Sequence, residues 1–96
     1  MEDVVSFKLQ NGQELIGRAR ETEDEYIVEE ARILHPHVTQ EGMQLVPVPV
    51  FFANNDLPEL KLPKSSVALG PIPVSSEVER VYIQVTTNIV LGGEKL

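Results

Sequence analysis

The sequence predicts a single, mainly β domain of antiparallel strands closed by one C-terminal helix, and three observations carry that reading. Val4 to Gln10 alternates apolar and polar residues and runs straight into Asn11-Gly12, the pattern of a half-buried strand that turns back on itself. All seven prolines fall between Pro36 and Pro73, yet Leu45 to Ala53 among them is too apolar for a flexible linker and reads as a strand. Helical spacing of apolar residues begins only near Val78.

The first strand, about 4–10, sets Val5, Phe7 and Leu9 on one face and Val4, Ser6, Lys8 and Gln10 on the other. Asn11 and Gly12 both tolerate positive φ, so a tight hairpin is expected to lead into a second strand at about 13–20. Gly17 inside that strand predicts a bulge or a sharp bend. An acidic turn, Glu21 to Asp24, leads to a third strand at about 25–34, in which Ile27, Ala31 and Ile33 share a face by period two and Glu29 interrupts the alternation. Three consecutive strands make a meander that needs further elements to cover its apolar side.

His35-Pro36-His37 reads as an exposed loop. Leu45 to Ala53, LVPVPVFFA, is too apolar for a linker and is expected to form the fourth strand, about 45–53. Pro47 and Pro49 are two apart, so their missing N–H groups face one side, which suits a strand at a sheet border or a subunit junction. The stripe Val46, Val48, Val50 and Phe52 is core or interface, because exposing it would create an aggregating edge. Asn54 to Asp56 form a turn, Leu60 and Leu62 continue the sheet briefly, and a fifth strand at about 66–70 points Val67 and Leu69 the same way. Val78, Val81, Tyr82, Val85 and Ile89 then fall on one helical face, which predicts a helix at about 76–88 with Ser76 and Glu79 as its capping box. A strand over Arg80 to Val85 is the competing reading.

At 96 residues the chain has room for one core, and with few aromatic residues it is expected to complete its burial in an oligomer interface. The absence of cysteine excludes disulfides, thiolate metal sites and a cysteine nucleophile. No stretch approaches the roughly 20 apolar residues of a membrane helix, so a cytoplasmic location is expected. The formal net charge of -7 repels nucleic acid unless the basic residues converge on one face, and they do not cluster in sequence. Six carboxylates between Glu21 and Glu30 read first as a solvated turn and strand surface.

Little in the chain points to covalent chemistry. Ser65 or Ser66 with His35 and Asp56 lacks a nucleophile elbow. Glu29 and Glu30 point to opposite faces of a strand and so cannot flank one bond, and the six glycines do not form a phosphate cradle. His35 and His37 with Glu41 could be drawn as a metal site, but a fourth ligand and a second shell are not evident. The expectation is a non-enzymatic protein with no cofactor and no metal. Tyr82 is expected to pack with its hydroxyl at the rim, and Tyr26 to lie half exposed beside the acidic turn.

The stretch VVSFKLQNGQELIGRARETEDEYIVEEARIL resembles the first motif of Sm-like (LSm) proteins over about a third of the chain. The Pro-rich fourth strand, SSVALG and SSEVERVYIQVTTNIVLGG are similar to Sm-like proteins of tailed bacteriophages of marine bacteria, of the cyanophage type. The resemblance implies a strongly bent five-stranded antiparallel small barrel whose protomers pair strands to close a homo-oligomeric ring. The family helix usually precedes the first strand, whereas this one follows the last. Family function is usually RNA binding, through an Asp and an Asn around the turn between the second and third strands. Here the positions are Asp24, or Glu23, and Ile27, and Ile lacks the hydrogen-bonding groups that identify a base edge. The second motif's Arg-Gly pair is absent, with Lys64 nearest. The candidate RNA residues are therefore Asp24, Tyr26, Ile27 and Lys64, with phosphate contact open to Lys8, Arg18 or Arg20. The candidate subunit interface is Val46, Val48, Val50, Phe52, Val67 and Leu69. Three readings follow: a ring scaffold or protein-binding module with a phage or host protein as partner, an RNA-binding chaperone using a non-standard surface, and an acidic nucleic-acid mimic that occupies a host protein.

Overall fold

The computed structural model describes residues 3–50 and 59–87. They form a mainly β fold, with a six-stranded antiparallel sheet and one C-terminal helix. The strands are β1 (Val4–Leu9), β2 (Glu14–Glu21), β3 (Glu25–Thr39), β4 (Gly42–Pro49), β5 (Glu59–Pro63) and β6 (Val67–Pro73), and the helix is α1 (Ser76–Thr87). A short 3-10 turn, Lys64–Ser66, separates β5 from β6. The sheet runs β4, β3, β2, β1, β6, and β5 also pairs with β3.

β3 organises the sheet. Residues Glu25–Glu29 pair with β5, and residues Arg32–Thr39 pair with β4, so two successive strands share one of its edges. The break between them is a bulge. β2 advances from Ile16 to Arg18 while its partner advances from Arg32 to Glu29, which leaves Glu30 and Ala31 opposite Gly17 alone. Glu30 sits at φ 52°, in the left-handed region. Gly17 is needed there because a Cβ would fall on Val28 Cγ1 and lie 3.0 Å from the Glu29 carbonyl oxygen. The bend expected at Gly17 is present, and the extra residue that makes it lies on β3.

That single residue reverses the side-chain parity of β3. Tyr26 and Val28 belong to the cluster of Phe7, Leu15 and Leu62, and beyond the bulge Ala31 and Ile33 join it. The common face expected for Ile27, Ala31 and Ile33 therefore does not form. The second cluster, Val4, Ile16, Leu34 and Tyr82, lies on the other face of the sheet, with Leu45, Val74 and Val78 packed against it. The helix covers this face, and the period-two pattern of β1 and β2 sorts Phe7 from Val4 and Leu15 from Ile16 accordingly.

Several expected boundaries shift. β3 runs on through His35, Pro36 and His37 to Thr39, so the histidines stand exposed in a strand, not in a loop. β4 starts at Gly42, after a turn in which Thr39 Oγ1 accepts from Glu41 N and donates to the Gly42 carbonyl. Leu60 and Leu62 belong to a strand of their own, β5, and the final strand extends to Pro73. Phe52, the turn at Asn54 to Asp56 and the segment after Thr87 lie outside the described residues.

The prolines that pair with or lie on β3 obey one register rule. In an antiparallel ladder alternate pairs exchange both backbone hydrogen bonds, and proline fits only the pairs that do not. Pro36 opposite Leu45, Pro47 opposite Leu34 and Pro49 opposite Arg32 all occupy the same alternate set, which leaves Ile33 with Val48 and His35 with Val46 as the bonded pairs. The donors missing at Pro47 and Pro49 thus fall on the outer edge of β4, which is a border of the sheet. Pro63 opposite Glu25 fits the same rule, since Glu25 spends its carbonyl on Thr22 N across the β2–β3 turn.

The first hairpin also differs from expectation. Gly12 N donates to the Leu9 carbonyl, Leu9 N donates to the Gln13 carbonyl, and Gly12 takes φ 92°. Asn11 does not share the positive φ; its side-chain oxygen instead accepts from Gln13 N at 2.9 Å. At the helix start the cap is Ser75, whose Oγ accepts from Val78 N, and not the Ser76–Glu79 box.

Candidate functional site

The two turns expected to carry recognition residues meet at one end of the sheet. Lys64, opening the 3-10 turn, donates its backbone N–H to the Asp24 carbonyl at 3.0 Å and so ties that turn to the β2–β3 turn. Its ammonium reaches Glu21 at 2.6 Å and lies 5.5 Å from the centroid of the Tyr26 ring. The hydrogen bond to Glu21 holds the Lys64 pKa above its ordinary value, against a smaller opposing effect of desolvation. Tyr26 in turn meets Phe7 at 4.9 Å between ring centroids, tilted by 49°. An aromatic pair fixed from below by the core and closed above by a cation is the result.

Beside Tyr26 a recess of about 240 Å³ is lined by Asp3, Val5, Ala19, Arg20, Glu21 and Pro71. The cations at and beside it are already matched. Arg20 stands 3.8 Å from Glu29 and 3.6 Å from Glu59, and Lys64 is held by Glu21. Arg18 pairs with Glu30 at 2.7 Å and Lys8 with Glu14 at 3.9 Å. Exposed pairs of this kind contribute little stability, but they do remove the concentrated positive potential that a phosphate chain seeks. The recess offers an aromatic face and neutralised cations, and it offers a base edge no amide of the Asn type.

Of the four candidate RNA residues the structure brings together Asp24, Tyr26 and Lys64. Ile27 does not join them: it is buried on the opposite face of β3, flanked across the sheet by Arg20 and Lys61. Glu21 and Phe7 complete the cluster without having been singled out. Phe7 was visible as a core residue, but its contact with Tyr26 depends on the register of three strands; Glu21 was one carboxylate among six.

The candidate interface residues divide. Val50 and Val67 pack against the Phe7 cluster, and Val48 lines a larger recess of about 710 Å³ with Leu15, Ile33, His35 and Leu60. Val46 is partly exposed, and Leu69 is 61% exposed on β6. Phe52 lies outside the described residues.

His35 and His37 share a strand face, opposite Val46 and Gln44. Among the described residues no three His, Cys, Asp or Glu side chains stand close enough to hold a metal ion. Among the same residues no helix is long and apolar enough to cross a membrane. Compared with known proteins, the chain matches no family model and no curated protein.

Proposed function

We propose that the chain is a homo-oligomeric, ring-forming scaffold or protein-binding module of Sm-like type, acting by assembly and not by covalent catalysis. The observation that carries this reading is a sheet whose two borders carry exposed apolar side chains. Among the described residues no ladder joins β6 to β4 or β5, and Leu69 and Ile72 at one border, with Met43 and Val46 at the other, are exposed to solvent. Burying such borders against further copies is the ordinary remedy for a small domain. Support for the Sm-like form comes from β3, which is strongly bent at the Glu30 bulge. A phage origin, with a phage or host protein as the partner, belongs to the same proposal and rests on the sequence resemblance alone.

Size-exclusion chromatography with light scattering tests it. A single species several times the 10.7 kDa chain mass is expected, and a monodisperse monomer at micromolar concentration sinks the reading.

A second reading, RNA binding through a non-standard surface, is favoured by one feature, the Tyr26 ring beside Lys64. Stacking on Tyr26 is sequence-tolerant and needs no Asn. Titration with short uridine-rich and adenine-rich RNAs at moderate salt discriminates: an intact oligomer that binds neither removes it. The acidic-mimic reading draws only on the net charge and predicts capture of a nucleic-acid-binding protein that DNA or RNA displaces.

A further inference from the structure

The two sheet borders differ in shape as well as position. Leu69 and Ile72 lie opposite Lys8 and Ser6, two places apart on β1, so both project from the face that carries α1, and they are 61% and 51% exposed. At the other border, on the same face, β4 and α1 enclose a groove of about 500 Å³ lined by Met43, Leu45, Pro47, Val78, Val81 and Val85. One border presents two aliphatic knobs, and the opposite border presents an aliphatic slot with room for both. Charges flank them in complementary fashion, with exposed Lys8 beside Leu69, held only loosely by Glu14 at 3.9 Å, and Glu77 at the groove.

We propose that the β4–α1 groove of one copy receives Leu69 and Ile72 of a second copy, joining protomers head to tail through side-chain packing. The proposal rests on the assembly reading above and names its contact. Backbone pairing is restricted at this border, because Pro47 and Pro49 remove two of the outward donors of β4; at the β6 border, two register breaks disturb the ladder that carries the knobs. The contact is therefore built from side chains, and the C-terminal helix supplies half of the slot. A knob and a slot on different borders form a heterologous contact, which repeats from copy to copy and makes a ring where the rotation closes.

The test uses the full chain and two variants at exposed positions, Leu69→Asp and Val85→Asp, with circular dichroism as the control for folding. Each variant alone is expected to be monomeric in light scattering, where the wild type is a larger oligomer. Mixed in equal amounts they are expected to give a dimer and nothing larger, since the mixture holds one working slot on the first variant and one working knob on the second. Variants that keep the wild-type mass overturn this contact while leaving the assembly reading intact. A wild-type monomer overturns both and assigns the groove to another occupant, such as a segment of the same chain. A mixture that stays monomeric overturns the pairing of these two surfaces. Should either variant fail to fold, Ile72→Asp and Met43→Asp replace them with the same expected outcomes.

Discussion

The Tyr82 hydroxyl donates a 2.9 Å hydrogen bond to the carbonyl of Glu30, with the Glu29 carbonyl at 3.3 Å. The acceptor belongs to the bulge residue that the β2–β3 ladder skips. Helix and sheet bend are thus one unit: α1 supplies the donor for a carbonyl displaced from the ladder, while Arg18 pairs with the Glu30 side chain and lies 5.5 Å from the Tyr82 ring centroid. Tyr82→Phe keeps the packing and removes only the donor. It is expected to cost about 1 kcal/mol in urea unfolding, the net worth of an ordinary hydrogen bond, because the Glu30 carbonyl is only partly buried.

Burial pushes the Tyr82 phenol up to about 12. A raised folded pKa means the native state holds the proton more tightly than the unfolded chain. The associated stability is complete below the ordinary tyrosine value near 10 and is lost as pH rises from there through about 12. In a Tyr26→Phe background the single remaining phenol should ionise near that upper value by ultraviolet absorbance. An ordinary titration near 10 would contradict the buried placement of the ring.

Gly17→Ala places a methyl against Val28 and the Glu29 carbonyl at the bend itself. Backbone cannot yield as a side chain does, so a loss of about 2 kcal/mol is expected, within the range for overpacking. Thermal unfolding measures it. A neutral outcome would mean that β3 can shift away from β2 without cost.

Ser75→Ala and Ser76→Ala separate two capping schemes. Ser75 Oγ accepts from Val78 N and its carbonyl accepts from Glu79 N, so its replacement is expected to cost about 1 kcal/mol. Ser76 is exposed in the first turn, and its replacement should be close to neutral by the same assay.

How far the sequence reveals this structure depends on what each element needs to be specified. β1, β2, the bend at Gly17 and the apolar face of α1 follow from local patterns, because alternation and a 3.6-residue period are written within a few residues. The continuation of β3 through Pro36 is not legible locally: whether a proline breaks a strand depends on which alternate pair it occupies, and that is set by the partner strand. The misassignment of Ile27 has a different origin. Period two already separates it from Tyr26, and a motif correspondence placed the two in one pocket despite that. Beyond Glu30 the bulge reverses the parity, which no pattern of the strand alone announces. Lys64 and Asp24 are 40 positions apart by number, and their hydrogen bond arises only when β5 pairs with β3.

The register rule for prolines makes the sharpest contrast available in β4. Val46 and Val48 face His35 and Ile33 in the bonded pairs, whereas Pro47 and Pro49 sit in the alternate set. Val46→Pro moves a proline by one place and removes a ladder donor, an expected cost of about 1–3 kcal/mol for the partner carbonyl left unpaired. Pro49→Val leaves the ladder untouched and restores an outward N–H, so its stability should change little while the border of the sheet gains a donor. Hydrogen exchange on the β3–β4 amides measures the first effect, and the concentration dependence of light scattering measures the second. If Val46→Pro were tolerated as well as Pro49→Val, the assigned set of bonded pairs would be wrong, and the outer edge of β4 would carry its full row of donors where proline is now placed to remove them.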